Sequence, residues 1–125
     1  MLYEILVKPV ITPFMFPSNV EYGNVVQVSC IFSAGDEPFR LQWFKNNHPL
    51  LSSPDLVISQ LSPRVGTLLI TRADSVHRGR YECRVANPVG SSSVSGELNV
   101  KGSWILGPRV LPVPSGSPIT YRSDR

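Results

Sequence analysis

The sequence holds 125 residues, 42% apolar and 17% charged, enough for one packed domain and too few for two of ordinary size. Its net charge of +3 is segregated: residues 1–100 carry eight Lys/Arg against eight Asp/Glu, and the whole excess lies in 101–125. A neutral body with a basic end is not a phosphate-binding footprint, so nucleic acid is excluded as the expected partner. No apolar run approaches the roughly 20 residues of a membrane-spanning helix, so no membrane segment is expected in this chain.

Twelve prolines and nine glycines, with no apolar residues sustained at helical spacing, predict an all-β chain. Residues 1–8 carry no element signal and read as an N-terminal extension without the basic start or apolar run of a secretory leader. Pro9, Pro13 and Pro17 punctuate the next apolar run. Proline has no N–H for a ladder, so this predicts an edge strand that breaks and resumes. Tyr22-Gly23-Asn24 turns the chain. Val25 to Phe32 then alternates, with Val26, Val28, Cys30 and Phe32 on one face and Gln27, Ser29 and Ile31 on the other. A loop over Ala34–Pro38 leads into a strand over Arg40–Lys45, with Leu41 and Trp43 on one face and Gln42 and Phe44 on the other.

Asn46-Asn47-His48-Pro49 predicts a turn, since Asn tolerates left-handed backbone and Pro49 stops the ladder. A weak strand follows over Asp55–Leu61, its inward set open between Leu56 with Ile58 and Val57. Val65–Thr71 directs Leu68 and Ile70 inward and Thr67, Leu69 and Thr71 outward. After a corner over Arg72–Gly79, Tyr81, Cys83 and Val85 point in while Glu82, Arg84 and Ala86 point out. Asn87–Gly90 is a hairpin signal, and Val94, Gly96, Leu98 and Val100 mark the inward face of the last strand. The domain is therefore expected over 9–100. Residues 101–125, rich in proline, glycine and serine, are expected to form a disordered tail.

Two cysteines in such a chain read as one disulfide, Cys30–Cys83, and hence an oxidising compartment; the alternative is a pair of buried thiols in a cytosolic domain. Asp74, Ser75 and His77 are the residue types of a nucleophilic triad, but three neighbours on one corner cannot surround a substrate. His48 and His77 lack zinc-ligand spacing with the cysteines, and Asp36-Glu37 lacks the further oxygens calcium needs. No catalytic residue, metal, cofactor or small-molecule substrate is expected. Trp43, Tyr81, Leu68 and Ile70 read as core, with the Tyr81 hydroxyl bonding backbone upstream. Outward apolar residues are the candidates for protein contact: Ile31 and Leu69 on strands expected to be neighbours, and Phe44 on the opposite sheet.

Cys30, Trp43, Leu68-x-Ile70, Gly79-x-Tyr81-x-Cys83 and Asn87 before the hairpin together resemble an immunoglobulin I-set domain over residues 9–100. More narrowly, Pro9-x-Ile11-x-Pro13-Phe14-x-Phe16-Pro17, Gly35-Asp36, Trp43-Phe44-Lys45 and His77-x-Gly79-x-Tyr81-x-Cys83 resemble domains of the Down syndrome cell adhesion molecule (Dscam) family, its arthropod forms in particular. The resemblance implies a two-sheet antiparallel Greek-key sandwich with Trp43 packed on the bridge. It further implies a non-enzymatic, extracellular fragment of a single-pass receptor that binds identical copies on apposed cells. A structural spacer and an intracellular filament-type module are the alternatives. One departure stands out: most such domains carry Asp where this chain has His77, and that Asp pairs with an arginine near the fourth strand. His77 is expected to weaken that pair and to make the corner sensitive to pH where imidazoles titrate.

Overall fold

Alternating inward apolar and outward polar positions build eight strands in the computed structural model, which describes residues 7–102. They are β1 (Val10–Thr12), β2 (Val26–Ala34), β3 (Arg40–Lys45), β4 (His48–Pro49), β5 (Leu56–Ser62), β6 (Val65–Ile70), β7 (Gly79–Ala86) and β8 (Ser91–Leu98). Two antiparallel sheets result, ordered β1-β2-β6-β5 and β4-β3-β7-β8. Residues 1–6 and 103–125, which hold most of the expected extension and tail, lie outside the described residues.

Pairing decides what alternation left open. Leu56 lies opposite Ile70 and Ile58 opposite Leu68, so these two turn inward and Val57 turns out. Elsewhere the ladder differs from expectation in two places. β1 spans only three residues, and pairing returns as one parallel bridge, Glu21 to Lys101. Between them the chain crosses to the second sheet, where Phe14 lies against Gly96 of β8; a Cβ there would come within 3.1 Å of the ring. Pro49 does not stop the ladder: it sits in β4 opposite Phe44, and the Leu50 amide still donates to the Trp43 carbonyl at 2.9 Å. The missing N–H is tolerated because β4 is an edge. Asn46 and Asn47 supply the left-handed turn (φ 50° and 71°). Beyond β8, the Lys101 amide donates to Val20 O, and the Tyr22 amide to Lys101 O, each at 2.9 Å.

Between the sheets, Cys30 and Cys83 form a disulfide with Cα atoms 6.3 Å apart. Trp43 lies opposite Cys83 in register and is 1% exposed, with the Phe14 ring 5.5 Å away. Leu68, Ile70, Tyr81 and Phe32 are likewise almost wholly removed from solvent. Each such side chain contributes about 1.5–3 kcal/mol by leaving water. Gly66, opposite Cys30, packs against Leu41: a Cβ there would lie 2.8 Å from Leu41 Cδ1, so the leucine side chain would have to shift.

The β6–β7 corner is closed by a short 3-10 helix, Ser75–His77, capped by Asp74. The Tyr81 hydroxyl donates to the His77 carbonyl at 2.5 Å from a fully buried position. Burial, and secondarily the charge of Asp55, pushes the Tyr81 phenol up to about 12, so it remains a donor at any ordinary pH. The pair expected to be weakened by His77 is present with its roles exchanged: His77 Nε2 lies 2.9 Å from Asp55 Oδ2, with the acid now just ahead of β5 and the base at the corner.

Candidate interaction face

The two sheets share one core but present unlike outer surfaces. None of the residues of β1, β2, β5 and β6 is Asp, Glu, Lys, Arg or His. The other sheet carries Arg40, Lys45, His48, Arg80, Glu82, Arg84 and Glu97 within its strands. Register arranges the outward side chains of the first sheet into three cross-strand rows. One holds Thr12, Ile31 and Val65; the second Ser29, Thr67 and Ser59; the third Gln27, Leu69 and Val57. Ionisable groups stand only at the margins, as Asp55 before β5, Arg64 in the β5–β6 turn and Arg72 after β6.

Ile31 is 43% exposed, Leu69 half-buried and Val57 37% exposed. Ile31 and Leu69 lie on neighbouring strands, as expected, but in separate rows. Ile31 lies opposite Val65 and Leu69 opposite Gln27, so four residues, about 13 Å along the strand, separate their rows. The serine–threonine row runs between them. There Thr67 faces outward yet is buried, and its hydroxyl is bonded to Ser59 Oγ at 2.6 Å. The face is thus two apolar rows divided by a hydroxyl row. Leu61, 69% exposed at the irregularity before Ser62, extends the first row.

Phe44 must be corrected as a contact candidate. It faces outward from β3 as expected, but the Arg84 guanidinium lies 4.0 Å from its ring centroid, leaving Phe44 8% exposed. Arg84 is held there by Glu82, with Nη2 to Oε1 at 3.2 Å. Phe44 is spent on a cation–π contact within its own sheet.

The other residues weighed for chemistry have local duties. The Asp74 amide donates to His77 Nδ1 and the Ser75 amide donates to the Asp74 carboxylate, so these three build a cap. His48 Nδ1 bonds the Asn46 carbonyl at 2.9 Å. Asp36 accepts from the Val7 amide through its carboxylate at 2.6 Å, and its own amide donates to Val7 O. Asn87 reaches the same Val7 carbonyl and also accepts from the Val89 and Gly90 amides of its hairpin. The confinement of charge to the margins escaped a residue-by-residue reading. The signal was available as the absence of charge from four strand segments at once.

Comparison with known proteins agrees with this architecture. A family model described as "Immunoglobulin domain" matches residues 8–87. The cell adhesion molecule Dscam1 of Drosophila melanogaster is 32% identical over 109 residues, covering 84% of this chain and 5% of that protein. Palladin of Mus musculus is 36% identical over 85 residues, covering 68% of this chain and 6% of that protein. The chain therefore spans about a twentieth of the length of these relatives. Among solved structures, the Dscam1 Ig7 domain, isoform 5, superposes with a TM-score of 0.72 at 33% identity, covering 75% of this chain and 97% of that one. With the paired sheets, the buried bridge and the tyrosine-closed corner, these matches make the chain a member of the immunoglobulin-domain family.

Proposed function

We propose that this domain is a non-enzymatic recognition module of an extracellular adhesion receptor, and that it binds a second copy of itself through the face of β1, β2, β6 and β5. The observation that carries this reading is the complete absence of ionisable acid, base or histidine from those four strands. A two-fold interface sets a surface against its own copy, so any central charge would meet its like. Like charges directly opposed across paired strands are destabilising, and an uncharged face avoids this. The rows of Ile31 with Val65 and of Leu69 with Val57 supply apolar contact, and the hydroxyl row between them supplies adaptable hydrogen bonding. Four strands about 4.8 Å apart and some six residues long present a projected area of roughly 400 Å². That is small beside the ~800 Å² per partner of a standard interface, so a single contact is weak and gains strength by repetition along a receptor. The disulfide supports an oxidising, extracellular setting over the intracellular filament-type alternative.

Sedimentation of the full chain tests the reading. Reversible self-association at high micromolar concentration is expected, with Ile31→Asp and Leu69→Asp each shifting the chain to monomer. A strict monomer, or association unchanged in both variants, would favour a spacer role. That second reading has an observation of its own. The chain is hydrogen-bonded into the body at Val7 and again at Lys101, which suits a link that transmits reach without bending.

A further inference from the structure

His77 is 5% exposed, and its two ring nitrogens meet partners of opposite kind. The Asp74 backbone amide lies 2.9 Å from Nδ1, and Asp55 Oδ2 lies 2.9 Å from Nε2. A backbone N–H only donates, so Nδ1 must be a bare acceptor. An ionised carboxylate only accepts, so Nε2 must carry the hydrogen. Together these partners admit one form of the ring, the neutral Nε2–H tautomer. An imidazolium has a donor on each nitrogen and leaves the Asp74 amide facing another donor.

Charged and titratable groups face the ring and its backbone from several elements. Asp55 faces Nε2 from the segment before β5, while the Asp74 carboxylate bonds the His77 backbone amide from the cap. On the cationic side, Arg78 turns its guanidinium to the Val100 carbonyl, and Lys45 reaches from β3 to the Val76 carbonyl at 2.5 Å. The Tyr81 hydroxyl of β7 is occupied by the His77 carbonyl. Both cations bond carbonyls, and Asp55 is the ionised side chain in hydrogen-bond contact with the ring. Acid therefore sets a bond against a charge within one side chain: the Asp55 contact tightens and the Asp74 contact fails.

We propose that His77 is a proton-operated latch, in which protonation releases the Asp74 amide and loosens the β6–β7 corner while Asp55 keeps hold of the ring. The release has a route into the body. Ala73, next to Asp74, bonds Asn24 through its amide and Gly23 through its carbonyl, both at 2.8 Å, so the corner is tied to the turn entering β2.

Nitrogen-15 NMR of the labelled full chain between pH 7.5 and 5 tests this, because imidazoles change charge in that range. At pH 7.5 the His77 ring is expected to show the Nε2–H tautomer. As the ring titrates, the protection factor of the Asp74 amide is expected to fall at least tenfold. In His77→Gln the side chain keeps the acceptor that such caps ordinarily use and cannot take a proton, so Asp74 protection is expected to stay level. An Nδ1–H tautomer at pH 7.5, a ring still neutral at pH 5, or Asp74 protection unchanged through the ring's titration each overturns the proposal. If the glutamine variant fails to fold, the wild-type ring and amide, read in one titration, decide alone.

Discussion

Replacing Tyr81 by Phe isolates one hydrogen bond at the centre of this fold. The ring is fully buried and keeps its contact with Phe16, whose centroid lies 5.3 Å away. What disappears is the hydroxyl that donates to the His77 carbonyl at 2.5 Å. A typical hydrogen bond contributes about 0.5–1.5 kcal/mol net, and stranding its buried partner costs about 1–3 kcal/mol. His77 is itself buried, so the higher range applies, and a loss near 2 kcal/mol is expected. For a domain of this size that lowers Tm by roughly 8–16 °C. Urea unfolding of the full chain, followed by far-ultraviolet circular dichroism, should show a lower midpoint with unchanged slope. The same bond has a pH signature. The folded phenol is raised to about 12, above its ordinary 10.0, so its contribution is complete below pH 10 and is lost as pH climbs through 12. The wild-type advantage over Tyr81→Phe should therefore hold from neutrality to pH 10 and shrink above it. A loss under about 0.5 kcal/mol, or an advantage that does not fade in alkali, would refute the reasoning.

Two further outcomes follow from the same frame. Removing the bridge with Cys30→Ala and Cys83→Ala together opens a loop of 53 residues, and the chain-entropy relation puts the loss at about 4 kcal/mol, readable as a fall in urea midpoint. Asp55 is held below its ordinary 3.8, first by the Ser53 hydroxyl and then by His77, so its contribution is present above 3.8 and fades as pH falls below it. Wild type should exceed Asp55→Ala in thermal stability at neutral pH, and the gap should close in stronger acid; a gap that widens there would contradict this assignment.

The residues that close the sandwich were legible because each acts through a local rule. Alternation with period two placed Val26, Val28, Cys30 and Phe32 together, and the same rule aligned Tyr81, Cys83 and Val85. The Tyr81 corner was likewise readable, since donor and acceptor lie only four residues apart. The outer face of the first sheet was legible only in part. Ile31 and Leu69 were seen as outward, but alternation gives a side and not a register, so the four-residue separation of their rows came only from strand pairing. Phe44 shows the same limit: its cover, Arg84, comes from a strand forty residues later.

His77 marks the boundary most sharply. Sequence by itself placed a histidine where an acid was expected, and so identified a changed pair. It did not supply Asp55, twenty-two residues upstream, or the Asp74 amide at the other ring nitrogen. The character of a side chain along a strand is set by its neighbours in the chain, and sequence determines it. Which donor meets which acceptor across a turn or between strands is set by pairing register and loop closure, and only the folded chain decides that.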